Sequence, residues 1–337
     1  MRKSNLIAGI VSGVLVLIAG AGLAVGNYVY EAGTSVPCRI NGDDLDNTPQ
    51  HFYTSYYNSG PFPGDGWNKW VGYDLSKWWL PTIKVEDVRI DVAPDVKLAA
   101  WWIKTTRKVT DRTVIVTHGI GTSKRDFTAL LPTAMLVKGG FNVLLVDQRN
   151  AGESTCTDGR HSAGQNESSD FAEVAKWLNR EKGIPGSAIG MFGVSGGAIA
   201  TSLTPIKSDL ISAFAMEGTI FDFQAAATRE VEFQGFPGFL WQLAEFAAKN
   251  FHGVDLTATS VKDSIQAAGN RPMLILHGDA DQRLDYQSSV DFYNYAKSVG
   301  IDIALERFEG ADHTEGMLTE TDRYAKLLTS FFNNALQ

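Results

Sequence analysis

The pentapeptide Gly193-Val194-Ser195-Gly196-Gly197 follows an apolar run, Ala188 to Phe192, and opens a helix-compatible stretch. A serine in that strand–turn–helix context matches the G-x-S-x-G nucleophile elbow, where small neighbours let a sharp, strained turn lift the hydroxyl clear of the sheet edge. Ser195 is the candidate nucleophile. The pentapeptide alone would also fit a plain Gly/Ser-rich turn, so the rest of the chain has to decide. A serine hydroxyl needs a base, an acid that orients the base, and donors for a developing oxyanion. In elbow-type sites the acid and then the base follow the serine along the chain. Of the six histidines, His51, His118 and His161 precede Ser195. His252 lies in an aromatic-rich segment, and His277 ends the apolar run from Pro272. His313 follows an expected strand over 301–308 and precedes the last helix, which is where a base on a loop belongs.

Two aspartates compete for the acid in Gly278-Asp279-Ala280-Asp281-Gln282-Arg283-Leu284. The H-G-x-x-D spacing favours Asp281, and Asp279 reads as a turn cap. Glu217 and Asp222 are the remaining alternatives. A lone aspartate in such a loop would be only a turn former; His313 downstream gives this one a partner. The expected oxyanion donors are the N–H of Gly196 and, from the loop Thr117-His118-Gly119-Ile120-Gly121, the N–H of Ile120, with Gly121 its close rival. His118 is expected to shape that loop rather than to act as a base.

The elements that must position these residues alternate along the chain. A hairpin is expected over 84–92 and 96–105, then strands near 113–117, 142–147, 188–194, 211–216, 272–277 and 301–308. Helical periodicity lies between them, as in Phe171, Val174, Ala175 and Leu178. Strand–helix alternation predicts an α/β architecture, a mostly parallel eight-stranded sheet with helices on both faces and the site at the carboxyl ends of its strands. Thr219 to Asn270 is too long for a plain crossover. It predicts a helical cap between strands 6 and 7, whose apolar face could make a substrate pocket; packing of its aromatics on the sheet is the alternative.

The ordered set His118-Gly119, Asp147-Gln148-Arg149-Asn150-Ala151-Gly152-Glu153-Ser154, Gly193 to Gly197, Asp281 and His313 resembles the α/β-hydrolase superfamily, over roughly residues 82–337. Within it the chain resembles membrane-anchored bacterial serine hydrolases related to prolyl-oligopeptidase-type catalytic domains, in which a D-Q-R-x-x-G-x-S stretch follows the fourth strand. Asn150-Ala151 departs from the bulkier or histidine-containing pair common there. The resemblance implies the α/β-hydrolase fold and Ser-His-Asp chemistry through an acyl-enzyme. A carboxylic ester is the expected substrate class, with peptidase, amidase or acyltransferase activity as alternatives. A non-catalytic binding module on the same fold is the alternative of another class; such modules usually lack a triad residue, and here every position is filled.

Composition agrees with one large catalytic domain. The net charge of −8 and pI near 5.3 argue against nucleic-acid binding, which asks for a basic face. No zinc-ligand spacing or phosphate-cradling loop occurs, so no cofactor and no metal are expected. After Arg2 and Lys3, Leu6 to Gly26 form 21 positions without a charge, enough to cross a bilayer with the basic end cytoplasmic. A cleaved signal peptide is the competing reading, supported by the small residues of 19–24. Either places the rest of the chain outside the cytoplasm, where Cys38 and Cys156, the only two cysteines, can form a disulfide. The expected organisation is an anchor or signal over 1–26, an aromatic-rich linker over 27–81 and the catalytic domain over 82–337, with the cap near 219–270. The linker is expected to fold back and pack its aromatics on the hydrolase; a place for its Trp and Tyr at the membrane interface is the other reading.

Overall fold

Short β-branched and apolar runs build the centre of the protein, whose computed structural model describes residues 20–36, 38, 45–54, 69–107 and 110–337. Strands β3 (Thr113–Thr117), β4 (Asn142–Val146), β5 (Ile189–Val194), β6 (Ala213–Glu217) and β7 (Met273–Gly278) are buried at every residue. That is the burial expected of parallel strands covered on both faces. β1 (Val85–Ala93) and β2 (Val96–Ile103) form the antiparallel hairpin, and β8 (Ile303–Phe308) closes the far edge. The eight strands run in the order β1-β2-β4-β3-β5-β6-β7-β8; only the β1/β2 and β2/β4 pairs are antiparallel. This is the α/β-hydrolase fold. The expected strands are all present.

Alternate residues of each strand feed two separate cores. Val116, Val143, Leu145 and Phe192 face helices α2 (Phe127–Gly139) and α10 (Thr321–Ala335). Ile115, Leu144, Met191 and Phe214 face α3 (Gln165–Glu181), α4 (Gly196–Leu203), α7 (Val261–Ala268) and α8 (Tyr286–Ser298). The three remaining helices after α2 are α5 (Phe223–Phe233), α6 (Leu240–Phe251) and α9 (Gly316–Thr319); α1 covers residues 20–34. α2 is buried from Phe127 to Val137 because something covers each side. Phe52, Leu75 and Leu80 of the amino-terminal segment join its core, with Trp70, Trp78 and Trp79 packed against it. Tyr56, Tyr57, Phe62 and Trp67 lie outside the described residues.

Two expected boundaries shift. The insertion after β6 is shorter than 219–270, since α7 buries Val261, Ile265 and Ala268 in the sheet layer and is an ordinary crossover helix. Only α5 and α6 stand apart from the sheet. Residue 27 does not open a linker either, because α1 runs through it to 34. Val29 and Tyr30 pack on Trp241, Ala244, Ala247 and Ala248 of α6, a third core of their own. Among the described residues no helix is long and apolar enough to cross a membrane, and residues 6–19 of the expected span lie outside them.

The end of α1 is tied to the loop after β4. Val36 N–H donates to Gly159 O at 2.8 Å, His161 N–H to Thr34 O at 2.9 Å, and Arg160 pairs with Glu31. A disulfide joins Cys38 to Cys156 with their Cα atoms 5.5 Å apart. Asn150, of the pair Asn150-Ala151 that departs from the pattern the sequence resembles, sits at φ 61° and holds this loop. Its amide donates to Asp158 and to Arg160 O, and its oxygen accepts from Thr157 N.

Candidate active site

Ser195 occupies the turn between β5 and α4 with φ 52° and ψ −116°, a strained conformation for a residue with a side chain. Its glycine neighbours are required by close approach. A methyl at Gly193 would collide with the Gly197 carbonyl and the Thr201 hydroxyl, and one at Gly197 with the His118 and Thr117 carbonyls. The turn is fixed from the neighbouring strand end by Ser195 N–H donating to Glu217 O at 2.8 Å.

Three strand ends bring the other groups to it. His313, after β8, has its Nε2 2.9 Å from Ser195 Oγ and its Nδ1 2.8 Å from Asp281 Oδ2. Asp281 lies in the loop after β7 and is buried; its Oδ1 accepts from the amides of Arg283 and Leu284 at 2.8 and 2.7 Å. Burial works against its charge, but His313, together with bonds from His277 and His313, wins and holds the carboxyl well below the usual carboxylate range. Asp279 is elsewhere: it accepts from Gly310 N at 2.6 Å and pairs with Arg307. Asp222 caps α5 by accepting from Ala225 N at 3.0 Å. Glu217 is fully buried beside Tyr324, and burial pushes its carboxyl well above the ordinary value.

The two expected oxyanion donors are adjacent. Gly196 is the first residue of α4, so its N–H has no acceptor within the helix. A methyl built on Gly196 would lie 3.0 Å from Ile120 N, and one built on Gly119 would lie 3.4 Å from Ser195 Cβ. The loop after β3 therefore presents Ile120 N beside Gly196 and the serine. His118 holds that loop from behind. Its Nδ1 donates to Gly119 O at 2.8 Å and its Nε2 accepts from Gln148 N at 3.0 Å; burial lowers its pKa.

Sequence reasoning set His277 aside as a base and missed its position behind the acid. Its Nε2 lies 3.1 Å from Asp281 Oδ2 and 3.1 Å from Leu284 O, and its Nδ1 lies 2.6 Å from Ser289 Oγ. With the Ser289 hydroxyl donating to Nδ1, Nε2 carries the proton and Asp281 receives two imidazole N–H donors. The four-residue spacing to Asp281 was the available signal. A second feature had no sequence signal: Trp70 Nε1 and Lys69 Nζ donate to the buried Glu315, 2.8 and 2.9 Å away, two residues past His313. The amino-terminal segment thus braces the loop that carries His313.

Chemically, a serine hydroxyl bonded to an imidazole, itself bonded to a buried carboxylate, with two amides beside the hydroxyl, can perform acyl transfer. The prolyl oligopeptidase family model matches residues 130–337. Among solved structures, the esterase Pf2001 of Pyrococcus furiosus is 21% identical, with 77% of this chain and 96% of that one aligned and a TM-score of 0.62. The acylaminoacyl peptidase of Pyrococcus horikoshii is 20% identical over 76% of this chain and 42% of its own, with a TM-score of 0.59. Est1E of Butyrivibrio proteoclasticus is 18% identical over 74% of this chain and 98% of its own, with a TM-score of 0.55. At such identities these likenesses show the fold alone. A search of curated protein sequences finds no match. The matched family and the fold agree: this chain belongs to the prolyl oligopeptidase family and is a serine hydrolase.

Proposed function

We propose that the protein hydrolyses a carboxylic ester outside the cytoplasm, with Ser195, His313 and Asp281 as its catalytic triad. The observation that carries the triad is the unbroken hydrogen-bonded row from Asp281 through His313 to Ser195, at 2.8 and 2.9 Å. His313 Nε2 accepts the Ser195 proton as Oγ attacks the acyl carbon, and the amides of Ile120 and Gly196 receive the oxyanion. The imidazolium, held against Asp281, returns the proton to the leaving alkoxide. Water, deprotonated by His313, then releases the acid from the acyl-enzyme. The disulfide between Cys38 and Cys156 supports an oxidising compartment. The uncharged run from Leu6 to Gly26 supports an amino-terminal membrane anchor.

In this reading α5 and α6 form a cap. Arg229 pairs with Asp285 at 3.4 Å and Arg283 with Glu230 at 3.4 Å, which pins α5 to the loop carrying Asp281. An open cavity of about 520 Å³ lined by Asp222, Thr228, Arg229, Glu232 and Asp285 lies along this seam. The second reading, a peptidase or amidase acting through the same triad, is supported by the prolyl oligopeptidase family match. Purified protein tested on p-nitrophenyl esters of graded chain length and on aminoacyl anilides separates the two. A fluorophosphonate probe should label the protein, and Ser195→Ala should abolish labelling and lower turnover by several orders of magnitude. Undiminished labelling of that variant would remove Ser195 as nucleophile. No labelling of the unaltered protein would favour a non-catalytic module.

A further inference from the structure

We propose that the face formed by α1 and α6 lies on a lipid bilayer, which rests on reading the amino-terminal segment as a membrane anchor. From Ser4 to Tyr30 the chain carries no charged residue, and the last part of that run is α1. α1 meets α6 with no spacer, because a methyl at Gly26 would collide with the Leu243 backbone. Residues 20–26 rise only about 10 Å along a helix. An anchor ending there holds α6 at the membrane surface.

The side chains at that junction suit a lipid surface. All four exposed phenylalanines among the described residues fall within residues 236–251: Phe236, Phe239, Phe246 and Phe251. Phe239 and Phe246 are four before and three after Leu243, hence on the face of α6 that meets Gly26. Phe246 meets Phe251 edge-on at 6.2 Å, and Phe236 meets Tyr28 of α1 at 6.3 Å. Tyr28 is 61% exposed, and Leu23 and Val25 of α1 are exposed too. Isolated exposed apolar residues are ordinary, whereas a contiguous cluster rimmed by polar groups marks an interaction surface. Here the rim is Gln242, Lys249 and Asn250, all exposed. Aromatic rings beside an uncharged helix match the belt that anchors proteins at the lipid headgroups. A second copy of the chain is the competing occupant, but it would not explain why the cluster sits where the uncharged segment joins the fold.

The full chain in vesicles of phosphatidylcholine and phosphatidylglycerol, photolabelled with a lipid-soluble diazirine and mapped by mass spectrometry, tests this directly. Labels are expected on peptides covering residues 6–19 and 236–251, and not on α8. Labels on 6–19 without labels on 236–251 overturn the docking face and leave the anchor; labels on neither overturn both. Cross-links joining residues 236–251 of two chains assign the face to a second copy and also overturn it. As a second measurement, the triple variant Phe239→Ser, Phe246→Ser, Phe251→Ser should lose tenfold or more in kcat/KM on a long-chain ester embedded in vesicles. Its turnover of soluble p-nitrophenyl acetate should stay unchanged. Equal loss on both substrates would give these rings to the active site and refute the docking face.

Discussion

Replacing Asp281 by asparagine is a perturbation whose size can be worked out donor by donor. Four N–H groups converge on its carboxylate: His313 Nδ1 and His277 Nε2 on Oδ2, and the Arg283 and Leu284 amides on Oδ1. Asparagine offers one acceptor oxygen in place of two. If that oxygen keeps the two backbone amides, the new NH₂ faces both imidazoles. His277 Nε2–H still has the Leu284 carbonyl at 3.1 Å, so it is not orphaned. His313 can accept from the NH₂ only by moving its own proton to Nε2, where it points at Ser195 as a donor. Ser195 then has no base. The expected fall in kcat is about 10⁴-fold, the scale of the same replacement in the serine protease triad. Loss of one or two charge-assisted bonds should lower stability by about 1–3 kcal/mol. The assay is kcat and KM on a soluble p-nitrophenyl ester, with thermal unfolding of each variant to confirm folding. Asp279→Asn is the control. It should keep near-normal turnover, because it keeps an acceptor for Gly310 N and loses chiefly a pair with the exposed Arg307. A folded Asp281→Asn within tenfold of the unaltered enzyme would refute the assignment; collapse of Asp279→Asn instead would exchange the two roles.

Three other outcomes follow from the same geometry. Glu217 holds its proton in the fold to a higher pH than in the unfolded chain, mainly through burial. Stability should therefore decline with rising pH above the unfolded carboxyl value, by at most about 1.4 kcal/mol per unit; Glu217→Gln should lack this decline and keep its turnover, and equal pH slopes of unfolding would contradict the idea. Cys38→Ser with Cys156→Ser opens a loop of sequence separation 118, which in the chain-entropy model costs about 4–5 kcal/mol. Denaturant unfolding measures that loss, and two titratable thiols in the denatured, unreduced parent would dismiss the bond. His277→Ala removes one of the two imidazoles on Asp281 and should lower kcat about tenfold with KM unchanged; an unaffected kcat would make His277 only a packing residue.

The sequence by itself determined the sheet and the order of the site residues, because both are local. Five of the strands are runs such as Thr113–Thr117 that are apolar or β-branched on both faces, and only a doubly covered parallel sheet buries such runs. The Gly-x-Ser-x-Gly turn is equally local, since its glycines answer to contacts within a few residues, Gly193 against Gly197 and Thr201. The choice between Asp279 and Asp281 was different. The spacing favoured one, but a carboxylate's role depends on what faces it across space, and His313 is 32 residues away.

Tertiary structure alone decided the rest, for the same physical reason. His277 reads as the end of an apolar strand until the fold turns its ring onto Asp281. Glu315 carries no signal in the chain at all; only the fold brings Trp70, 245 residues earlier, to donate to it. The insertion after β6 showed its length and its aromatics, which fit a helical cap and rings packed on the sheet equally well. The long-range contacts that separate α7, buried in the sheet layer, from α6, packed on α1, leave no periodicity in the chain. Hydrophobic burial is non-directional, so composition says that such residues will be covered and the fold says by what.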